Sequence, residues 1–373
     1  MTRATLCATA VVGILMILSA TAMRFELGTP GISSMFERFA GSNAGQVFQS
    51  LVVVHGLSAT VFQLLVAAFA CFVARDLGNE TSWVFAWLSV AAAVCAALLL
   101  GLALFLSAQQ QFGASENIGW TLYPPLSTET TSERLGGLLG YLEAWGSTTG
   151  FATISLADLP IVKDGPAAMI LFAACALVGT RPGYRLGATF CQVFVLVQLV
   201  FALVDTTRLV ANPIYLIGTM PLLVILMIQL KDDDTPSAPY LSAGVVLSLG
   251  VLLVTGFGSQ ATSQALDNDT QLPVAVAHGL QGGMVVFVLF AALNQWLRPR
   301  ISYTALWAHG LAIATIMGLN AFSHIQLAKQ GMPRRYIDYP DTFAALNLGI
   351  STAYVLLGVL VLGGLIAMRR RRA

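Results

Sequence analysis

The chain has 373 residues, of which 57% are hydrophobic and 10% charged, and its formal net charge is +1. This composition excludes a soluble globular domain, and charges scattered over the connections exclude a basic nucleic-acid-binding face. Apolar runs long enough to cross about 30 Å of hydrocarbon recur from end to end. No polar block is large enough for a separate domain, so 1–373 reads as a single transmembrane domain.

A first span at 5–23 follows a short N-terminus with Arg3. Arg24 stands where a signal peptide would carry a small-residue cleavage site, so the segment reads as an uncleaved helix. The polar connection RFELGTPGISSMFERFAGSNAGQ leads into a long helix over 47–73, with His55 roughly two turns in. A short loop, ARDLGNETS, joins it to a third span at 83–106. The longest polar connection follows, and its Trp120, Tyr123, Pro124 and Pro125 have the character of a rigid membrane-interface element.

Segment 136–159 is ambiguous, being moderately apolar yet carrying Glu143, Trp145 and Asp158. Those two carboxylates read as solvated or helix-capping groups, with a transport role the less favoured alternative. Clear spans follow at 166–180, 186–204, 211–230, 239–260, 273–296, 304–327 and 342–368. The fold class expected is therefore all-α, a polytopic integral membrane bundle of about 10–11 transmembrane helices, with 136–159 as the candidate eleventh.

Lys and Arg set the orientation. Arg3, Arg75, Arg181, Arg185, Lys231, Arg298, Arg300 and the run Arg369 to Arg372 gather on one side if 136–159 does not cross. The positive-inside rule makes that side cytoplasmic, with both termini, and places 24–45, 108–135, 263–272 and 329–341 outside. The terminal arginines read as a topology anchor, and Asp232 to Asp234 as a solvated loop. Cys7, Cys71, Cys95, Cys175 and Cys191 sit singly in apolar stretches. No CxxC, CxxCH or disulfide spacing exists, and they read as small core residues.

The span PVAVAHGLQGGMVVFVLFAALNQW, 273–296, carries the most informative residue, His278. An ionisable group inside a membrane is a site hypothesis by default. His55 and His278 fall near the outer ends of their helices, at similar depth, so two helices can face each other through them. A haem fits between such a pair, with both axial positions filled and the iron low spin. Its propionates need cations, and the loop GMPRRYIDYPD supplies adjacent guanidiniums, Arg334 and Arg335, on the same side. Trp120 offers an indole N–H from the other outer loop. His309 and His324, near the two ends of the next helix, read as structural or interfacial.

Four islands, RFELGTPG at 24–31, VVVHGLSATVF at 52–62, GWTLYPPLS at 119–127 and GMPRRYIDYPD at 331–341, occur in the order in which similar segments occur in another family. The chain thereby resembles subunit I of cytochrome c oxidase, of the haem-copper oxidase superfamily, at both ends and less so in the middle. The resemblance implies a subunit I-like bundle. It makes His55 the low-spin haem ligand, Arg334 and Arg335 the propionate-binding pair, Trp120 a neighbour of those propionates and Arg24 an arginine near the haem edge.

In that family a VAHFHY segment carries two histidines serving two haems, whereas here there is one. Alignment on the Val-Phe further along the helix makes His278 the low-spin ligand and puts Val276 where the high-spin ligand would be; alignment on the preceding Val-Ala gives the other assignment. The first leaves a matched pair with His55 and is preferred. The chain has four histidines, with none between 56 and 277, the region that holds the family's copper ligands. No copper site and no high-spin haem ligand are expected.

The resemblance with these departures implies a membrane electron-transfer subunit with one bis-histidine haem, b-type or a-type, and no copper. It would pass electrons between a periplasmic c-type cytochrome or copper protein and a partner membrane subunit or the quinone pool. The place expected is a bacterial cytoplasmic membrane. The alternative is a non-redox structural or assembly subunit that keeps the oxidase fold. An active terminal oxidase is disfavoured by the histidine count.

Overall fold

The computed structural model describes residues 1–28, 44–108, 165–204, 223–230, 235–258, 274–275, 277–332 and 341–369. All the regular structure among them is helical. The long helices are α1 (Thr2–Gly28), α2 (Ala44–Asp76) and α3 (Ser82–Ala108), then α4 (Gly165–Val178) and α5 (Arg185–Val204). After a short α6 over 223–230 come α7 (Ala238–Gly258), α8 (Gly283–Leu297), α9 (Tyr303–Lys329) and α10 (Ala344–Arg369). The protein is thus an all-α bundle of apolar helices, as its composition demands: in hydrocarbon every backbone N–H and C=O must be paired within its own segment.

Among the described residues four helices are long and apolar enough to cross a membrane, over Thr2–Leu27, Val54–Asp76, Tyr303–Lys329 and Ala344–Met368. Shorter apolar helices cover Ser82–Leu98, Pro166–Val178, Ala238–Val251 and Gly283–Leu297. The spans expected from sequence coincide with these helices to within a few residues, except that only 223–230 of the span at 211–230 is described. Segment 136–159 lies outside the described residues, as do Trp120, Arg334 and Arg335.

α2 is the centre of the bundle. It packs against α1, α3, α4 and α8, while α7 packs on α8 and α9, α9 on α10, and α10 on α1. Of the most apolar stretch of α2, 83% is buried inside the protein, against 17% for α1 and 11% for α10. Val66 to Ala74 are almost fully enclosed, and Phe69 meets Trp296 of α8 edge to face at 5.8 Å. α1 and α10 instead turn Val11, Ile14, Leu18, Val355, Val359 and Ile366 outward. Such a face is stable where its surroundings are as apolar as it is, which is the condition of a lipid-facing helix.

Two local departures from the sequence reading bear on the site. α1 runs through Arg24 to Gly28, so Arg24 is carried on a helix and not on the connection expected to begin there. The span at 273–296 is not one uniform α-helix: Ala277–Gly282 is a π-helical segment that passes into α8. A π register bonds each N–H to the carbonyl five residues back, and such bulges recur at functional positions.

Candidate metal centre

His55 sits on the buried central helix, against α1. Its Nδ1–H donates to the carbonyl of Met16 at 3.2 Å. His278 lies in the π segment, and its own Nδ1–H donates to the carbonyl of Val274 at 2.8 Å. The two rings are neighbours, with centroids 6.2 Å apart and planes within 10° of parallel. The two histidines singled out from sequence are thus side-chain neighbours in the structure.

Glycine makes the approach of α7 to this segment possible. A Cβ on Gly279 would lie 2.7 Å from Val251 Cγ2, and one on Gly283 would lie 2.8 Å from Leu247 Cδ2, both on α7. Real side chains do not come so close, so a larger residue at either position would force Val251 or Leu247 of α7 to give way beside the segment that carries His278.

The surroundings of His278 come from three further helices. Tyr354 of α10 meets its ring edge to face at 5.7 Å. The Arg24 guanidinium of α1 lies over Tyr354 at 5.8 Å, and Ser351 Oγ–H donates to the Arg24 carbonyl at 3.3 Å. His324 of α9, fully buried, holds its ring 5.7 Å from that of His278 and within 11° of parallel. The site thus draws on α1, α2, the π segment, α9 and α10. Tyr354 and His324 are the members that sequence reading missed as site residues, since a tyrosine and a histidine on apolar helices carry no marker of which neighbour they will meet.

His309 is a different case. Its Nδ1 accepts from the Tyr240 hydroxyl at 2.7 Å and its Nε2–H donates to the Leu360 carbonyl at 2.9 Å. Both nitrogens are engaged, Phe290 closes on the ring edge to face at 5.1 Å, and Gly364 is needed beside it because a Cβ there would lie 2.5 Å from His309 Cε1. This is a structural histidine locked between α7, α8 and α10.

The first pair has the ring spacing that a haem iron requires. Two imidazoles bound trans to one metal, at nitrogen–metal bonds of about 2 Å, hold their ring centres about 6 Å apart. Metal-ligating histidines give their other N–H to a backbone carbonyl or carboxylate, which fixes the tautomer with the lone pair on the metal-facing nitrogen. His55 and His278 both do this. Among the described residues Nε2 of neither has a hydrogen-bond partner, and no group of three or more His, Cys, Asp or Glu side chains is placed to hold a metal ion.

The fold and this pair define a multi-pass α-helical membrane protein with paired intramembrane histidines. No family profile matches the chain. It is similar in part to two proteins of known identity. Over 112 residues, 29% of this chain, it is 33% identical to cytochrome c oxidase subunit 1 of Mytilus edulis. Over 94 residues, 24% of the chain, it is 36% identical to cytochrome c oxidase subunit 1 of Cereibacter sphaeroides. The matched stretches span 20% and 16% of those proteins' own lengths. The likeness supports a relation to the haem-copper oxidases, carried by part of the chain.

Proposed function

We propose that this protein is a membrane electron-transfer subunit that binds one low-spin haem, b-type or a-type, between His55 and His278. The observation that carries this reading is the pair itself: two imidazoles with centroids 6.2 Å apart, nearly parallel, each tethered through Nδ1–H to a main-chain carbonyl. The partial likeness to cytochrome c oxidase subunit 1 supports it.

The chain's own residues hold and tune the site. The carbonyls of Met16 and Val274 keep both Nε2 lone pairs turned away from the backbone. The apolar helices exclude water, and Arg24 behind Tyr354 sets a positive charge near the pair. Arg334 and Arg335 would bind the propionates, with Trp120 beside them. The haem supplies a reversible one-electron couple. His55 and His278 would both hold the haem iron, which would leave the group to carry electrons, and the four histidines of the chain would then leave no set for copper; we therefore assign electron transfer without oxygen reduction.

The electron donor or acceptor on the outer side would be a c-type cytochrome or a copper protein, and the other partner a membrane subunit or quinone. A haem near one face cannot carry charge across the bilayer alone, so this reading requires such a partner. The protein would sit in a bacterial cytoplasmic membrane with both termini inside, as its Lys and Arg distribution supports.

The test is an oxidised and dithionite-reduced visible spectrum of the purified protein with a pyridine haemochrome assay. One low-spin haem per chain is expected, unreactive to carbon monoxide, lost in His278→Ala and spectrally altered in His55→Ala. Folded protein without haem, or a spectrum indifferent to both substitutions, would sink the proposal and leave a structural subunit built on the same bundle.

A further inference from the structure

The two imidazoles of the pair are tethered differently. His55 is tied across the bundle, from α2 to the Met16 carbonyl of α1. The Nδ1–H of His278 instead returns to Val274, four residues back on its own segment. A bond to its own segment ties the ring to no other helix, and the torsion that turns an imidazole about its Cβ–Cγ bond is intrinsically broad. Neighbouring side chains must therefore decide the plane in which the His278 ring lies.

Two rings meet it. Tyr354 of α10 stands at 76° to the imidazole and His324 of α9 at 11°, each with centroids 5.7 Å away. Both separations fall in the range of about 4.5–7 Å at which aromatic rings interact. Tyr354 is itself held: the Arg24 guanidinium lies 5.8 Å from the centre of its ring. Ser351, three residues earlier on α10, donates to the Arg24 carbonyl at 3.3 Å and so ties α10 to α1 at this level.

We propose that Tyr354 is a positioning residue for His278: its ring, standing across the imidazole, fixes the plane of that ligand and with it the near-parallel relation to His55, 10° between planes. This rests on the haem reading above. The plane of an axial imidazole selects the iron d orbital that it overlaps, so parallel planes act on one orbital and crossed planes divide between two. A ring barred from turning keeps that splitting, and the potential that depends on it, fixed through oxidation and reduction. Side chains that contact a ligand in this way set its orientation without touching the metal.

The experiment compares the electron paramagnetic resonance of the ferric full-length protein in wild type, Tyr354→Phe, Tyr354→Leu, Tyr354→Met and Ile350→Ala, with haem content measured by pyridine haemochrome. Ile350 is the control: it is fully buried about one turn away on α10, in a cluster with Leu327, Met332 and Phe343. Its truncation loosens the helix while leaving the Tyr354 ring in place. One low-spin haem per chain is expected throughout. Tyr354→Phe, which keeps the ring, should retain the wild-type g values, whereas Tyr354→Leu and Tyr354→Met should shift and broaden them. Ile350→Ala should lower the thermal midpoint with g values unchanged. Wild-type g values in the Leu and Met variants overturn the proposal and leave the haem reading standing. So does an equal shift in Tyr354→Phe, which would move the effect to the hydroxyl, or in Ile350→Ala, which would make it general packing. Haem loss from both the Leu and the Met variants would make Tyr354 a structural residue and overturns it too. Haem-free wild type overturns both readings.

Discussion

Two of the four histidines, His278 and His309, sit in neighbouring helices yet are used in opposite ways. Phe290, which packs against His309, is twelve residues along the chain from His278, about 18 Å at helical rise. His309 has both nitrogens engaged, by a tyrosine hydroxyl and by a main-chain carbonyl, and so has nothing left to give. His278 has one nitrogen tied to the backbone and two imidazole rings as neighbours. Which nitrogens the fold satisfies, and not the residue type or its burial, separates a structural histidine from a candidate ligand.

The sharpest way to break that comparison is to exchange the two losses. His278→Ala should abolish haem binding outright, whereas His309→Ala should keep a wild-type spectrum and lower the thermal midpoint in detergent. Haem loss in the second variant with the first unaffected would reverse the assignment. Next in size is Phe290→Ala. This ring is fully buried against Tyr240 and His309, and its removal should cost about 3–5 kcal/mol in reversible detergent unfolding with the haem spectrum unchanged.

Gly279→Ala probes the other region. The added methyl meets Val251, and overpacking should cost about 1–3 kcal/mol. Unlike Phe290→Ala it should also disturb the low-spin signal, since Val251 and Ala321 must give way next to the segment carrying His278. Smallest is Tyr240→Phe, which leaves His309 Nδ1 without its donor at a cost of about 1–3 kcal/mol. Equilibrium unfolding beside His309→Ala would show whether the two losses are coupled, as a shared hydrogen bond requires.

Much of the fold was legible in the residues. The spans at 5–23, 47–73, 83–106, 166–180, 186–204, 239–260, 304–327 and 342–368 reappear as helices, because about twenty apolar residues leave the backbone one way to pair its polar groups in lipid. The pairing of His55 with His278 was legible too, from their matched depth in a bundle whose orientation the arginines suggest. Less legible was the backbone around His278. Its three glycines, Gly279, Gly282 and Gly283, are the trace of a break from ideal helix, yet glycine in a membrane helix is common enough to carry little signal.

Hydropathy and the charged residues by themselves determined that the chain is a helical membrane bundle. The tertiary structure alone decided that α2 is the core while the equally apolar α1 and α10 are the periphery, because hydropathy reports preference for an apolar surrounding and is blind to whether lipid or protein provides it. It alone decided that His309 is closed by Tyr240 and Leu360, that Tyr354 and His324 join His278, and that Arg24 reaches the site from a helix. Such contacts depend on the rotation of each helix about its axis, which is set by packing against neighbours far away in the sequence.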